Sequence, residues 1–505
     1  MNALKFIKGK LGYGVGAVGL DLSYGMFYSF LAKYLTYTLE RNGVRNYNLF
    51  LLILTPIARL WDGINDPMMG TIVDNTHTRL GKYRPWILTG SCLNAIVLIF
   101  LFSNPFKLSG AGLCVYVAIT YILWGMTNTL ADIPYWSMIP SFTSDPKERN
   151  LISTVARAFS GLGQGIVTIG APLLMTAFSR TTEYSIEKQA DVKVYDERSF
   201  LFSAIICSAC LIIFALVCVG TTKERITTTK SEKFTLGRAL QIVKSNDQLL
   251  IFMLFSMISN AGWYLTSGVA VYYFDVVVGN TKKQSAFSTA SAIGSVVGML
   301  LLPVLTKYMS KRRAYQVSLG VAAFGYAGMS VCAFSGNLVG LNIFYIIGAI
   351  GISSMFIAQT IFLADIVDYG EFKMGFRAES ITFSMKGFLQ KMAYTVQTII
   401  LFATNGLTGY SEELHMNNSA AVKNGITAML CVIPIALFLI SLVIFSTKFK
   451  LHGSFMDEVT KTVTENQKRR ELAQDEYYAS KNRHEKNSCR FFGAKEPLTK
   501  SQHTL

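Results

Sequence analysis

Two carboxylates one helical turn apart inside an apolar stretch are the feature of this 505-residue chain with the greatest chemical consequence. In the run Arg59-Leu60-Trp61-Asp62-Gly63-Ile64-Asn65-Asp66-Pro67, a helix puts Asp62 and Asp66 on one face, with the Asn65 amide three residues after Asp62. A carboxylate at the centre of a membrane costs about 2.5–3.5 kcal/mol on insertion scales, so it needs a partner, water or a task. Side by side the two acids repel when ionised, and Na⁺, Li⁺ or a proton relieves that repulsion. The pair reads as an oxygen-lined cation site whose occupancy is coupled to its charge. The plainer alternative pairs Asp62 with Arg59 across one turn and Asp66 with a cation from another helix.

Other charges lie in apolar surroundings. Asp21 falls in the first apolar block, and Asp132 precedes Trp136 by one helical turn. An acid beside an aromatic face suits a sugar, whose hydroxyls hydrogen-bond to the carboxylate while its C–H face stacks on the ring. An interfacial belt position is the alternative for Trp136. Arg157 and Lys391 read as buried cations that neutralise these acids, as counter-ions, substrate ligands or both.

Helices in lipid must position these residues. The chain is 51% hydrophobic and 15% charged, whereas a soluble domain carries about 25% charged residues. Its apolar residues fall in blocks of about 20 or more, the length a helix needs to cross about 30 Å of hydrocarbon. They do not alternate in polarity, which argues against a β-barrel. Spans are predicted near 12–39, 46–73, 84–105, 111–142, 151–178, 199–220, 248–278, 282–306, 313–336, 339–369, 377–407 and 421–447. The net charge of +16 lies mainly between blocks and in the tail, a topology signal rather than a nucleic-acid surface. The excess of Lys and Arg in alternate loops places both termini on the cytoplasmic side of a plasma (inner) membrane. The basic start, Met1–Lys10, leads into a block too long for a signal-peptide core, so that block is expected to stay as a transmembrane helix.

Of the eight cysteines, most sit in apolar blocks; even the Cys207/Cys210 pair reads as small hydrophobes rather than a metal or redox site. No nucleophile–base constellation or phosphate-binding glycine loop stands out, so no enzyme is expected, and no cofactor or metal beyond a coupling ion.

The polar stretch after the sixth block divides the chain into an N-terminal bundle (1–220), a central cytoplasmic linker (221–247), a C-terminal bundle (248–450) and a polar cytoplasmic tail (451–505). The tail reads as a solvated, partly helical extension, with a docking site for a cytoplasmic regulator as the alternative. Duplication is suggested by Leu130-Ala131-Asp132-Ile133 in the fourth helix and Leu363-Ala364-Asp365-Ile366 in the tenth, each followed by a cation, Arg157 or Lys391. Opposite charges at helix ends suggest an inner gate: Asp74, Arg79, Lys82 and Arg84 on one half, Asp365, Asp368, Glu371 and Arg377 on the other. Ordinary topology charges are the alternative there.

The stretches ARLWDGINDPMMGTIVD, RLGKYRPWIL, YILWGMTNTLADIPYWSMIP and LADIVDYGEFK, followed by FRAES, occur in this order. In them the chain from about 8 to 450 resembles the glycoside-pentoside-hexuronide:cation symporter family (melibiose permease-like) of the major facilitator superfamily. The resemblance implies an all-α polytopic membrane protein of the major facilitator fold, twelve transmembrane helices in two six-helix halves. It implies alternating-access import of a glycoside, pentoside or hexuronide with Na⁺ or H⁺. It also implies a cation site from Asp62, Asn65, Asp66 and Thr129 with Lys391 nearby, and sugar contacts from Asp21, Asp132, Trp136 and Arg157. Against the melibiose permease pattern, Leu20 stands for a Lys, Asn128 for a Tyr, Phe356 for a Trp and Gly387 for a Thr, all at or near the sugar pocket. Rival expectations are a major-facilitator carrier of a lipid or organic anion, the latter disfavoured by the acids of the pocket, and a non-transporting nutrient sensor.

Overall fold

In hydrocarbon a backbone N–H or C=O has no water to pair with, so each apolar block closes its hydrogen bonds within itself as a helix. The computed structural model describes residues 2–465 except 77, 143–145, 186–189, 225–240, 242–243 and 376–378. Among these, the long helices are α1 (Asn2–Arg41), α2 (Tyr47–Asp74), α3 (Arg84–Leu101), α4 (Gly110–Ser137), α5 (Pro146–Phe178) and α6 (Glu197–Thr221), then α7 (Asp247–Tyr272), α8 (Lys283–Tyr308), α9 (Lys311–Phe334), α10 (Leu338–Met374), α11 (Glu379–Thr408) and α12. Helix α12 runs Ala420–Thr427, passes through a π turn (Ala428–Val432) and continues as Ile433–Lys448; α7 ends in a similar π turn, Tyr273–Val277. Between α5 and α6 two strands, β1 (Thr182–Ser185) and β2 (Ala190–Lys193), pair antiparallel, an addition to the all-α expectation in a polar connection.

Among the described residues, ten helices are long and apolar enough to cross a membrane. Helices α2 and α11 are not among the ten. They carry Arg59, Asp62, Asp66, Lys386 and Lys391, among them the residues of the candidate cation site.

The packing repeats. Helix α1 packs on α5 and α6, as α7 does on α11 and α12; α3 packs on α4 and α6, as α9 does on α10 and α12; α2 packs on α4, as α8 does on α10. The two sets of six meet along α2–α11 and α5–α8, which are again equivalent pairs. Asp132 and Asp365 of the repeated Leu-Ala-Asp-Ile fall on the equivalent helices α4 and α10, and Arg157 and Lys391 on α5 and α11. Small residues let backbones close up where lipid supplies no hydrophobic drive: a Cβ on Gly90 of α3 would sit 2.6 Å from the Ala131 nitrogen of α4. The outward stripe Leu49, Ile53, Ile57 and Leu60 of α2 is exposed at a spacing that faces lipid.

Polar caps fix the helix starts. Asp196 and Ser199 form a reciprocal capping box on α6. Asn246 accepts from Leu249 N–H at 3.0 Å to cap α7 and donates to the Ile366 carbonyl of α10 at 3.1 Å. Most of the expected linker lies outside the described residues. At its start the Glu224 carboxylate accepts from the backbone N–H groups of Lys82, Tyr83 and Arg84 at 2.7, 2.9 and 3.1 Å, filling the N-terminus of α3.

Past α12, residues 453–465 form a further helix, α13. It buries Val459 and Val463 in the core, and Phe455 packs against the Tyr369 ring of α10. This stretch, placed in the polar tail by its charge, is amphipathic with apolar residues four apart. Residues 466–505 lie outside the described residues.

Candidate functional site

Each acid of α2 has a cation. The Arg59 guanidinium donates to Asp62 at 2.9 Å, both side chains being buried. Four aromatic rings enclose that guanidinium: Phe27 and Tyr28 of α1, Tyr121 of α4 and Tyr394 of α11 lie with centroids 5.3, 5.4, 5.8 and 5.0 Å away. Desolvated cation–π contacts of this kind contribute about 2 kcal/mol in favourable cases. Asp62 also lies against Gly125 of α4, where an added Cβ would be 2.6 Å from its Oδ1.

One turn on, Asp66 accepts from the Thr129 hydroxyl of α4 at 3.0 Å and from the Lys391 ammonium of α11 at 2.5 Å. Thr129 belongs to the first six helices and Lys391 to the second, so Asp66 ties the two sets together. The pairing that the plainer sequence reading offered for both acids is therefore present in this conformation. The Asn65 amide nitrogen is buried without a hydrogen-bond partner among the described residues, a group that costs about 1–3 kcal/mol unless water or a ligand meets it.

The sugar-type residues converge on the neighbouring space. The Trp136 indole N–H donates to Asp132 at 2.9 Å, and the Arg157 guanidinium lies 4.0 Å from the Trp136 ring centroid. Asp21 of α1 has Ser160, Asp132 and Arg157 as its electrostatic neighbours. Asp132 in turn senses Lys391, Arg157 and Asp66, which links the two groups of residues into one polar site. Asn128, buried one turn before Asp132, has an amide oxygen with no partner among the described residues. Phe356 of α10 packs edge-on to Trp263 of α7, with ring centroids 5.3 Å apart.

Two of the inner-gate residues are bound within their own six helices. Asp365 binds Lys311 at 2.9 Å and the Arg84 guanidinium donates to the Val219 carbonyl at 3.0 Å, each within its own six helices. The Lys82 ammonium lies over the Tyr83 ring at 5.1 Å, Arg79 is exposed, Asp368 half-buried and Glu371 buried. The Asp74 side chain and Arg377 lie outside the described residues.

At the opposite end, where α1 finishes and α2 begins, a charge cluster joins the halves. Lys33 of α1, fully buried, binds Asp275 in the π turn after α7 at 2.6 Å and Glu412, between α11 and α12, at 2.7 Å. Its ammonium also donates to the Tyr410 hydroxyl at 2.9 Å, Tyr410 bonds Glu412, and Tyr47 of α2 donates to the Tyr410 carbonyl at 2.8 Å. Thr36 and Tyr272 (3.0 Å) and Thr176 and Thr281 (2.8 Å) add hydroxyl pairs across the same end. The reading by residue type passed over this cluster. Its signal was present in two members, since Lys33 and Asp275 lie inside predicted spans; Glu412 lies in a connection and had none.

Sequence comparison matches residues 12–453 to a family described as MFS/sugar transport protein. The chain is 27% identical over 487 residues to a raffinose carrier protein of Pediococcus pentosaceus, covering 91% of this chain and 72% of the carrier. It is 25% identical over 465 residues to the inner membrane symporter YicJ of Escherichia coli, covering 92% and 96%. Among solved structures, a D-xylose-proton symporter superposes with a TM-score of 0.60 at 12% identity, covering 88% of this chain and 98% of that one, which bears on the fold alone.

Proposed function

This chain belongs to the MFS/sugar transport protein family, and we propose that within it the protein is a cation-coupled symporter that moves a glycoside-type sugar by alternating access. It is an integral membrane protein of a transporter family, not an enzyme. The observation that carries the coupling is Asp66, held at once by Thr129 of its own half and Lys391 of the other. A Na⁺ or a proton that takes over Asp66 displaces the Lys391 ammonium and loosens a tie between the halves, so ion binding alters the balance of conformations. By linkage, sugar then raises cation affinity by the factor by which the cation raises sugar affinity. Asp62, locked to Arg59 inside its aromatic cage, holds α2 in place while Asp66 exchanges partners; Asn65 borders the same site.

The sugar sits on the Trp136 face, with Asp21 and Asp132 accepting from its hydroxyls and Arg157 donating; Asn128 and Phe356 border the space. In this conformation the Lys33–Asp275–Glu412 cluster seals one end. With the termini cytoplasmic, that end is extracellular and the conformation faces inward. The inner gate of Asp74, Arg79, Lys82, Arg84, Asp365, Asp368, Glu371 and Arg377 works at the other end as the halves rock.

Uptake of labelled glycosides, pentosides and uronides into proteoliposomes, under an imposed Na⁺ or H⁺ gradient, tests the reading. One solute should accumulate only under one gradient, and Asp66→Asn should lose accumulation while retaining exchange. Accumulation of the same solute without any gradient, or by Asp66→Asn at the parent level, refutes the coupling scheme.

A further inference from the structure

Helices α2 and α11, one from each set of six, pack side by side, and their contacts fall at matched levels. As α2 advances, its partner on α11 steps back. Tyr47 donates to the Tyr410 carbonyl, just past α11, at 2.8 Å, and Thr398 donates to the Thr55 hydroxyl at 3.3 Å. Next, the Arg59 guanidinium lies 5.0 Å from the Tyr394 ring centroid, and Asp66 holds Lys391 at 2.5 Å. Beyond Thr398 the helices stay close, since a Cβ on Gly406 would be 3.8 Å from the Asn48 Cβ. The pairing is antiparallel and keeps one register to within about one turn of helix.

Much of what lies along this seam is apolar, including Leu51 and Ala58 of α2 and Leu401 of α11, all buried. Apolar contacts tolerate a slide of one helix on another; a lone hydroxyl pair does not, and an isolated buried polar pair is a known way to set the register of packed helices. Thr55 and Thr398 are such a pair, 3% and 1% exposed. Each hydroxyl also donates to its own helix one turn back, Thr55 to the Leu51 carbonyl at 3.0 Å and Thr398 to the Thr395 carbonyl at 2.9 Å, which holds both side chains in place. Lys391 sits about two turns from Thr398 on the same face of α11. The register set at Thr398 is therefore the register of Lys391.

Resting on the symport reading, we infer that Thr55 and Thr398 are positioning residues for ion coupling: their hydroxyl pair fixes the height of α11 against α2 and so holds the Lys391 ammonium on Asp66 until the ion displaces it. The coupling ion competes with that ammonium. A looser register weakens the ammonium's hold and leaves Asp66 easier to take, while the sugar-type residues on α1, α4 and α5 are untouched. The change falls on the ion requirement and spares the sugar requirement, a split that a general loss of packing does not produce.

The test uses the full chain in proteoliposomes and the solute that wild type accumulates in the uptake panel. At saturating solute, the Na⁺ concentration for half-maximal uptake is measured; where Na⁺ has no effect, the proton concentration takes its place. Thr398→Val removes the hydroxyl and should lower that concentration about two- to tenfold, the scale of one hydrogen bond. The solute concentration for half-maximal uptake at saturating ion should not move. Thr55→Val should act alike, and the double variant should go no further than either single, since both remove the same bond. Thr398→Ser keeps the hydroxyl and should restore the parent value. An ion requirement unmoved or raised in the valine variants, a solute requirement that shifts with it, or a serine variant that behaves like the valine one overturns the inference and leaves symport standing. Accumulation of no solute, or uptake that depends on neither Na⁺ nor protons, overturns both.

Discussion

Replacing Lys33 by Met should unlock the end of the bundle that its ammonium now holds shut. The side chain is completely buried, and its charge lies within 2.6 Å of one carboxylate and 2.7 Å of another, each itself at most 1% exposed. Removing one partner from a buried ion pair costs about 3–5 kcal/mol, because the remaining charge is left uncompensated in a medium that solvates it poorly. Here two acids are left, and they repel each other. Opening this end lets water reach both, so the cost falls on the closed state alone. At about 1.4 kcal/mol per decade, the closed-to-open ratio should drop by roughly 100- to 4000-fold. Thr176 and Thr281 report the ratio, since their hydroxyls meet at 2.8 Å across that end. With both replaced by Cys, oxidative cross-linking should be near complete on the Lys33 background and largely lost on Lys33→Met, with each single Cys controlling for native thiols. Adding Glu412→Gln to Lys33→Met removes the acid–acid repulsion and should recover part of the cross-link. If Lys33→Met cross-links like its parent and melts at the same temperature, the cluster does not hold this end closed.

Further outcomes follow from single contacts. Gly125→Ala puts a methyl 2.6 Å from Asp62 Oδ1 and should cost about 1–3 kcal/mol by overpacking, read as a lower melting temperature; Gly170→Ala, whose Cβ would meet nothing within 4 Å, should not lower it. Arg157→Lys keeps the charge but loses the planar group stacked on Trp136, so sugar affinity should fall about tenfold or more in a binding titration. A chain ended after residue 465 should keep its stability and uptake. One ended after residue 450 loses the buried Val459 and Val463, each worth about 1.5–3 kcal/mol of burial, and should melt earlier.

How much could be read in the residues differs between the parts of the site. The α2 motif was legible because a turn of helix is a local object: Asp62, Asn65 and Asp66 share a face whatever surrounds them. Its partner Lys391 was legible only as a cation in an apolar helix and through the family resemblance; their meeting spans 325 residues of chain. Of the two possibilities left open for α2, a cation site or ion pairs, the ion pairs are present in this conformation, and exchange of Lys391 for a coupling ion is the step proposed for coupling. The ring contact of Phe356 with Trp263 was not legible, because position on α10 alone does not say which neighbour a helix face meets.

The sequence by itself determined the helices and their environment. In lipid a backbone has no partner but itself, so blocks of apolar residues leave one local solution and the charges between them suggest its topology. The tertiary structure decided which charges meet. Lys33 and Glu412 lie 379 residues apart, and Asp66 of α2 meets Lys391 of α11 across the two halves. Such pairings follow from the rigid-body relation of two six-helix sets, and no local spacing encodes it. The tail shows the same limit on a smaller scale: charge marked 453–465 as solvated, yet Val459 and Val463 lie in the core, since burial depends on whether a surface waits to receive an amphipathic face.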